Sequence, residues 1–316
     1  MSASATARHA SVIAMFRDSR ASLTVLAAAV LWGTAGTAQA LGHGQASPAA
    51  LGAARLLVGG STLAAVAALS PVGRAAMRSC FCRRSLPWTL AAAIATALYQ
   101  VAFFSSVART GVALGTIIML GTAPLFTALL SRLFLREGLT RRWLLGTAVA
   151  VTGCALVIIP QGEISVNLLG FGLALVAAAC YGVYTVSAKR LLHHHAPLAV
   201  IAASLGLGAV LLFPIALRQA PELLQPRSAL TVLWLGFAAT ALAYTFFARG
   251  LRRVPAASVA TLGLAEPLAA VLLGLLVLGE RLSPIVSVGV MFLFAGLVLV
   301  ATIRRVPPIA PNAGTS

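Results

Sequence analysis

The chain has 316 residues, of which 60% are hydrophobic and only 9% charged, and its mean hydropathy is +0.98. Because a soluble domain has roughly a quarter of its residues charged, this composition excludes an ordinary soluble fold and predicts an all-α polytopic membrane protein. The net charge of +17 does not indicate nucleic-acid binding, since the basic residues lie between apolar runs and not in one basic domain or tail.

Ten apolar runs follow one another along the chain, each near the roughly 20 residues that a helix needs to cross a bilayer. We predict ten transmembrane helices, at residues 22–41, 49–69, 87–107, 112–131, 141–159, 168–188, 198–217, 229–248, 256–278 and 285–303. Residues 1–21 are predicted to be a cytoplasmic N-terminal segment, 160–167 a linker, and 304–316 a disordered cytoplasmic tail.

The second half of the chain repeats the first. From Phe103 onwards, the sequence aligns without a gap with the sequence from Phe246 onwards, at a constant offset of 143. The matching pairs include Phe104 and Phe247, Pro124 and Pro267, Glu137 and Glu280, Gly146 and Gly289, and Gly153 and Gly296. Trp32-Gly33 aligns with Tyr181-Gly182 at an offset of 149. We therefore predict two five-helix repeats, 22–159 and 168–303, which are inverted because five is odd.

The distribution of Lys and Arg predicts the orientation. Alternate sides of the predicted membrane carry 18 and 4 of these residues, and Arg55 lies within the second span. Because all connecting loops are short, the positive-inside rule applies. It predicts an inner (plasma) membrane protein with both termini, and the loop that contains Cys80 and Cys82, in the cytoplasm.

Several of these features resemble the drug/metabolite transporter superfamily, EamA type. The similarity rests on the two five-span repeats, Trp32-Gly33, Ala54-Arg55, and Pro267 followed by Leu278-Gly279-Glu280. The first repeat departs from this pattern, with Leu135-Arg136-Glu137 in place of Leu-Gly-Glu. The resemblance implies a transporter of small organic metabolites, similar to the amino-acid and aromatic-metabolite exporters, and it favours export over import.

Glu266 is the most informative single residue, since it lies near the middle of the span 256–278. A charge at that depth costs at least ~2.5 kcal/mol on insertion scales, so an acid there suggests a function. Its repeat counterpart is Ala123. Glu266 could couple transport to protons or bind an ammonium group of the substrate. In the alternative interpretation it bonds a backbone group that Pro267 leaves free.

Other polar and aromatic side chains within the spans are candidates for lining a central cavity formed by spans 1, 3, 4, 6, 8 and 9. Arg55 either recognises a substrate carboxylate or extends to the membrane interface. The remaining candidates for substrate binding are Trp32, Gln39, Tyr99, Gln100, Tyr181, Tyr184 and Tyr244. Packing between helices is the alternative role for each aromatic residue.

Two pairs of repeat-related residues have predicted structural roles. Pro124 and Pro267, in the middle of their spans, are predicted hinges, with static kinks as the alternative. Glu137 and Glu280 lie at span ends, where we expect them to pair with Arg141 and Arg281.

The predicted function is secondary transport by alternating access between the inverted halves. A passive facilitator or exchanger is the first alternative, and an intramembrane enzyme acting on lipid-linked substrates is a second one. The sequence has no serine-hydrolase, zinc-protease or phosphate-loop motif, so we predict no catalytic residues, no cofactor and no metal. The expected partners are a small-molecule substrate, the lipid bilayer and, as a candidate coupling ion, the proton; a monomer is the expected unit.

Overall fold

The fold is described from a computed structural model of the chain. The structure describes residues 2–42, 46–159, 167–277, 279 and 282–303. Most of the predicted linker, the predicted disordered tail, and the predicted pair of Glu280 with Arg281 lie outside the described residues.

The described residues form helices joined by short turns. The helices are α1 Ser2–Gly42, α2 Pro48–Ala68, α3 Pro71–Ser79, α4 Leu86–Phe134, α5 Arg141–Ile158, α6 Leu168–Leu192, α7 Pro197–Arg218, α8 Ala220–Leu223, α9 Pro226–Gly236, α10 Ala243–Leu251, α11 Ala256–Leu262, α12 Ala265–Val277 and α13 Pro284–Ala301. A π-helical turn, Phe237–Leu242, joins α9 to α10. Side chains that accept a backbone N–H three residues on begin five of these helices: Ser47, Ser70, Thr140, Asn167 and Ser283.

Helix α4 folds back on itself. It has 49 residues, and a straight helix of that length would extend about 70 Å. Its two ends are instead in contact, because the rings of Trp88 and Phe134 are 5.8 Å apart. The reversal occurs at Gly111, whose φ of 80° and ψ of 161° belong to a region that glycine adopts readily. The segments before and after Gly111 are therefore antiparallel.

Nine helical segments in the described part of the chain are long and apolar enough to cross a membrane, and α4 is one of them. The count of ten spans stays a prediction, since it treats the two arms of α4 as separate spans. Helix α1 starts at Ser2, well before the predicted beginning of the first span.

Contacts between α5 and α13 show how the two repeats are related. A Cβ atom on Gly146 would lie 3.2 Å from the carbonyl oxygen of Gly296, and one on Gly153 would lie 2.7 Å from that of Gly289. Since Gly146 corresponds to Gly289 and Gly153 to Gly296, each contact is the symmetry counterpart of the other. The two equivalent helices run antiparallel, so the repeats are inverted, and the small residues let their backbones approach closely.

A second pair of equivalent contacts involves α1 and α6. A Cβ atom on Gly33 would lie 3.1 Å from the backbone nitrogen of Ala270 in α12, and one on Gly182 would lie 3.1 Å from the backbone nitrogen of Thr127, the counterpart of Ala270, in α4. Gly33 and Gly182 are repeat counterparts, and the second arm of α4 is the counterpart of α11–α12. The sequence offsets of 149 and 143 therefore predict real contacts of the fold.

Candidate functional site

The helix that carries Glu266 is interrupted in the middle of the predicted span 256–278. Helix α11 ends at Leu262 and α12 begins at Ala265. Pro267 contributes to the break, because it has no N–H to donate to the carbonyl four residues earlier and its ring crowds that carbonyl. That carbonyl belongs to Gly263, which accepts the Glu266 backbone N–H at 3.0 Å instead.

Glu266 lies in the first turn of α12 and is partly buried. Its carboxylate forms no hydrogen bond or ion pair with the residues that the structure describes. In the alternative interpretation, the Glu266 side chain would form a hydrogen bond with a backbone group that Pro267 leaves free. The described structure does not contain this hydrogen bond. The carboxylate is thus available in the interior, next to the positive end of α12.

Arg55, in the middle of α2, lies in the same interior region as Glu266. Its guanidinium interacts electrostatically with Glu266, Tyr99 and Tyr244. It is partly buried, and its Nε is buried without a hydrogen-bond partner within the described residues. The two opposite charges do not form an ion pair with each other in the described structure.

Four aromatic rings form a cluster beside these charges. Trp32 is 5.4 Å from Tyr244 and 5.5 Å from Phe247 between ring centroids. Tyr184 is 5.6 Å from Tyr244 and 6.1 Å from Phe247. Trp32 is 8% exposed, and its Nε1 has no hydrogen-bond partner among the described residues. Helices α1, α6 and α10 thus contribute one aromatic cluster.

Two further tyrosines approach Glu266 from other helices. The charge of Glu266 acts on both Tyr99 and Tyr181. Tyr99 stacks on Phe103 with ring centroids 5.7 Å apart. The hydroxyl of Tyr181 lies beside the helix break, 3.3 Å from the position of a Cβ atom on Gly263. The structure therefore gathers seven of the predicted residues: Trp32, Arg55, Tyr99, Tyr181, Tyr184, Tyr244 and Glu266.

The two predicted glutamines have other surroundings. Gln39 is exposed near the end of α1, and its amide donates to the Ala35 carbonyl of the same helix at 3.2 Å. Gln100 is buried and donates to the Gly52 carbonyl of α2 at 3.1 Å. The Gln100 side chain thus joins α4 to α2, and neither glutamine belongs to the cluster.

Two features of the site were not predicted. Phe247 is 1% exposed and contacts three rings of the aromatic cluster. The repeat match of Phe104 with Phe247 was a signal that could have identified it. The π-helical turn Phe237–Leu242 comes directly before Tyr244, and such turns are frequent at functional sites. Within this turn the Thr240 hydroxyl donates a hydrogen bond to the Leu235 carbonyl at 2.8 Å. A single sequence gives no sign of this hydrogen bond.

The two predicted hinge prolines have different environments. The helix is interrupted before Pro267, whereas α4 continues through Pro124 with Gly111 as its non-helical residue. Gly263, which corresponds to Leu120 of α4, has a helical φ of −58° and ψ of −25°, so its freedom as a glycine does not account for the difference, and nothing else in the described structure explains it. The hinge function of both prolines stays a prediction.

The predicted pairing of Glu137 with Arg141 is wrong. The Glu137 carboxylate instead lies 2.7 Å from Nζ of Lys189 at the end of α6, and it accepts the backbone N–H of Ala256 at 2.7 Å. Lys189 also donates to the Val254 carbonyl. Residues far apart in sequence satisfy this carboxylate because the ends of α4, α6 and α11 meet at the arginine-rich side.

Within the described part of the chain, no group of three His, Cys, Asp or Glu side chains could hold a metal ion. The four cysteines are free thiols. Burial raises the pKa of Cys80 to about 11, while hydrogen bonding with Ser85 lowers the pKa of the exposed Cys82.

The architecture is that of a multi-pass membrane protein built from two inverted repeats, an arrangement typical of secondary transporters. The sequence profile of the EamA-like transporter family matches residues 19–159 and 168–302. The chain therefore belongs to the EamA-like transporter family, which confirms the predicted resemblance.

Known proteins similar to this chain are transporters. It is 36% identical over 297 residues to the uncharacterized transporter YwfM of Bacillus subtilis, covering 93% of this chain and 98% of that protein. It is 29% identical over 287 residues to a probable terminal-alkyne amino-acid exporter of Streptantibioticus cattleyicolor, covering 89% and 93%. The threonine/homoserine exporter RhtA of Escherichia coli is 37% identical over 121 residues, which are 38% of this chain and 41% of RhtA.

A solved crystal structure shares the fold, with a TM-score of 0.74 at 21% identity, covering 89% of this chain and 96% of that one. Together with the family match, this confirms the predicted all-α fold with two repeats. The family and these relatives indicate a metabolite transporter and not an enzyme.

Proposed function

We propose that this protein is a secondary exporter of amino acids or closely related zwitterionic metabolites, located in the inner membrane and working by alternating access. The observation that carries the proposal is the relationship between Arg55 and Glu266. Opposite charges share one interior region without forming an ion pair within the described structure. A zwitterion supplies the missing partner for each.

The chemistry of the two side chains fits the two ends of an amino acid. The guanidinium of Arg55 presents N–H groups that bind a carboxylate in a forked geometry. The Glu266 carboxylate accepts hydrogen bonds from an ammonium group. Because a charge within the membrane is costly when unpaired, a ligand that satisfies both residues at once is favoured over a neutral one.

The surrounding rings suit the non-polar part of such a ligand. Trp32 and Tyr244 belong to the aromatic cluster, and Tyr99 and Tyr181 lie within the electrostatic range of Glu266. Pockets for small molecules combine apolar and aromatic walls with a few polar groups in this way. The names of two relatives, exporters of threonine or homoserine and of an alkyne amino acid, agree with this substrate class and with export.

Alternating access is supported by the two halves of the span that carries Glu266. Every residue from Ala256 to Ala265 is buried, whereas Glu266 and Leu268 are partly accessible. The break between α11 and α12 separates these halves, so one half could change its packing without the other. On the charge distribution, the buried half faces the cytoplasm, and both termini lie there as well.

Transport by purified protein in liposomes tests the proposal. We expect uptake of radiolabelled threonine or homoserine that is stimulated by a proton gradient and is competed by other zwitterions but not by their amides or amines. Counterflow without any response to the gradient would instead identify an exchanger or facilitator, in which Glu266 has no coupling role. Absence of transport for every amino acid, with active transport of an uncharged solute, would contradict the proposed substrate class.

A further inference from the structure

An apolar groove of about 570 Å³ opens on the outer face of the helix bundle, away from Glu266. Helices α2 and α7 form its walls, and residues of α3 and the following loop close its end on the arginine-rich side. The groove is lined by Leu57, Ser61, Ala64, Met77, Phe81, Ala202, Ala203, Gly206, Leu207, Ala209, Val210 and Phe213.

The lining residues offer no unpaired side-chain hydrogen-bond donor to an occupant. Their one hydroxyl, on Ser61, donates to the carbonyl of Leu57 in its own helix at 2.6 Å. The residues on α2 and α7 are mostly small, and this leaves a channel beside the bulky Phe213. An occupant of this volume without polar atoms is an alkyl chain, because any polar group there would lose its hydrogen bonds to water.

The end of the groove on the arginine-rich side is strongly basic. Arg74 and Arg78 flank Met77 on α3, and both are exposed. The Arg74 guanidinium donates to the Ala68 carbonyl at 2.6 Å, which fixes it at the junction of α2 and α3. Arg83 and Arg84 follow in the same loop, and none of these four arginines forms an ion pair with the residues that the structure describes.

Helix α3 has the character of a segment that lies at a membrane surface. Its basic residues are accompanied by large apolar side chains at its beginning, with Leu69 82% exposed and Val72 79% exposed. Exposed apolar side chains next to arginines are typical of amphipathic helices at the boundary between headgroups and acyl chains. The basic end of the groove is therefore expected at headgroup depth.

We propose that this groove binds one acyl chain of an anionic phospholipid, whose phosphate is held by Arg74 and Arg78. Basic pockets beside transmembrane helices bind anionic headgroups by charge attraction. The positive charge selects an anionic lipid over a zwitterionic one, and the apolar groove holds the chain in one place. This site is separate from the transport site and does not depend on the identity of the transported solute.

Two variants separate the roles of the groove and the charges. Gly206→Leu fills the groove without a backbone clash, since a Cβ atom at this glycine would lie 3.7 Å from its nearest neighbour, Cβ of Ala64. The double variant Arg74→Gln and Arg78→Gln removes the headgroup contacts. The matched control, Arg249→Gln with Arg252→Gln, removes the same charge from exposed residues at the end of α10.

Native mass spectrometry of the detergent-purified full chain, titrated with phosphatidylglycerol or with phosphatidylcholine of the same chains, measures the site. We expect the first phosphatidylglycerol to bind at least about tenfold more tightly than phosphatidylcholine, as two arginines near a phosphate would give. Gly206→Leu should abolish this first site, the Arg74 and Arg78 variant should remove the preference, and the control should keep it.

Equal binding of the two lipids by the parent protein would overturn the proposal and identify the groove as ordinary lipid-facing surface. A dimer that Gly206→Leu converts to a monomer would also overturn it, because a second copy would then be the occupant. Thermal unfolding of each variant in lipid-free detergent shows whether it is folded. If Gly206→Leu is unfolded, Ala64→Leu replaces it, because Ala64 is a partly accessible residue that lines the same groove.

Discussion

The Glu137 carboxylate and the Lys189 ammonium lie 2.7 Å apart and join the ends of α4 and α6 on the arginine-rich side of the protein. The same carboxylate accepts the N–H that begins α11, and the same lysine donates to the carbonyl of Val254. Three segments that are distant in sequence are thus held together, next to the fully buried half of the span that carries Glu266.

The first prediction is that this ion pair stabilises the closed arrangement of that side. Glu137→Gln keeps an acceptor for the Ala256 N–H but removes the charge that pairs with Lys189. Because both side chains are largely buried, at 8% and 17% exposure, the loss should favour opening by roughly 10- to 150-fold, the factor that corresponds to the roughly 1.5–3 kcal/mol of a charged hydrogen bond. A cysteine at the buried position 258, introduced as Ser258→Cys in a Cys82→Ser background, reports opening through its rate of maleimide labelling in inside-out vesicles.

The matched control for Glu137 is Glu222→Gln, at an exposed acid in the short helix α8. It should leave the labelling rate unchanged. If Glu137→Gln also leaves the rate unchanged, the ion pair has only a structural role, and the closed side is held by packing.

The second prediction concerns the titratable group of Glu266. Glu266→Gln keeps the size of the side chain and removes its charge. If Glu266 couples protons, proteoliposomes with the variant lose gradient-driven accumulation but keep exchange. If it pairs with the substrate ammonium, binding weakens for zwitterions and cations but not for neutral solutes, and Arg55→Gln weakens binding of carboxylates. Behaviour equal to the parent protein in both assays would contradict any functional role for the acid.

The third prediction separates the two prolines. Pro267→Ala supplies an N–H for the Gly263 carbonyl, so α11 and α12 should join into one continuous helix. We expect transport to slow by roughly tenfold, which corresponds to about 1.4 kcal/mol in the barrier, with little change in substrate affinity. Pro124→Ala, in a helix that is already continuous, is the matched control and should change transport less. Equal effects of the two variants would instead favour a hinge function for both prolines.

The repeat structure could be predicted because it is written in identical residues at a constant spacing. Gly146 and Gly153 match Gly289 and Gly296, and these four residues meet in the fold. The partner of Glu137 could not be predicted in the same way, since Lys189 is distant in sequence whereas Arg141 lies only four residues after Glu137. The midspan rings of Trp32, Tyr184 and Tyr244 lie close together, and their role in binding stays a prediction. An isolated glutamine such as Gln100 gives no sign of whether it faces a cavity or another helix.

The fourth prediction tests the orientation of the protein with a single thiol. Cys82 is exposed and its pKa is lowered, so its reactive thiolate is more abundant near neutral pH, whereas Cys80 is buried and its pKa is raised to about 11. A membrane-impermeant maleimide should label Cys82 in inside-out vesicles and not in intact cells. The variant Cys82→Ser should abolish labelling, because Cys80, Cys154 and Cys180 are buried. Labelling of Cys82 in intact cells would reverse the predicted orientation.

The last prediction concerns the reversal of α4 at Gly111. Any side chain is strained at a φ of 80° and a ψ of 161°, at a cost on the order of 1–3 kcal/mol. Gly111→Ala should therefore lower the thermal unfolding midpoint in detergent, by roughly 2–4 °C for each kcal/mol. Gly172→Ala is the matched control, because this helical glycine has no atom within 4 Å of a Cβ position and alanine is the better helix former. We expect its midpoint to stay equal or to rise slightly. An unchanged midpoint for Gly111→Ala would mean that the backbone at the reversal can relax into a conformation that residues other than glycine adopt without strain. The contact between Trp88 and Phe134 would then be enough to hold the two arms of α4 together.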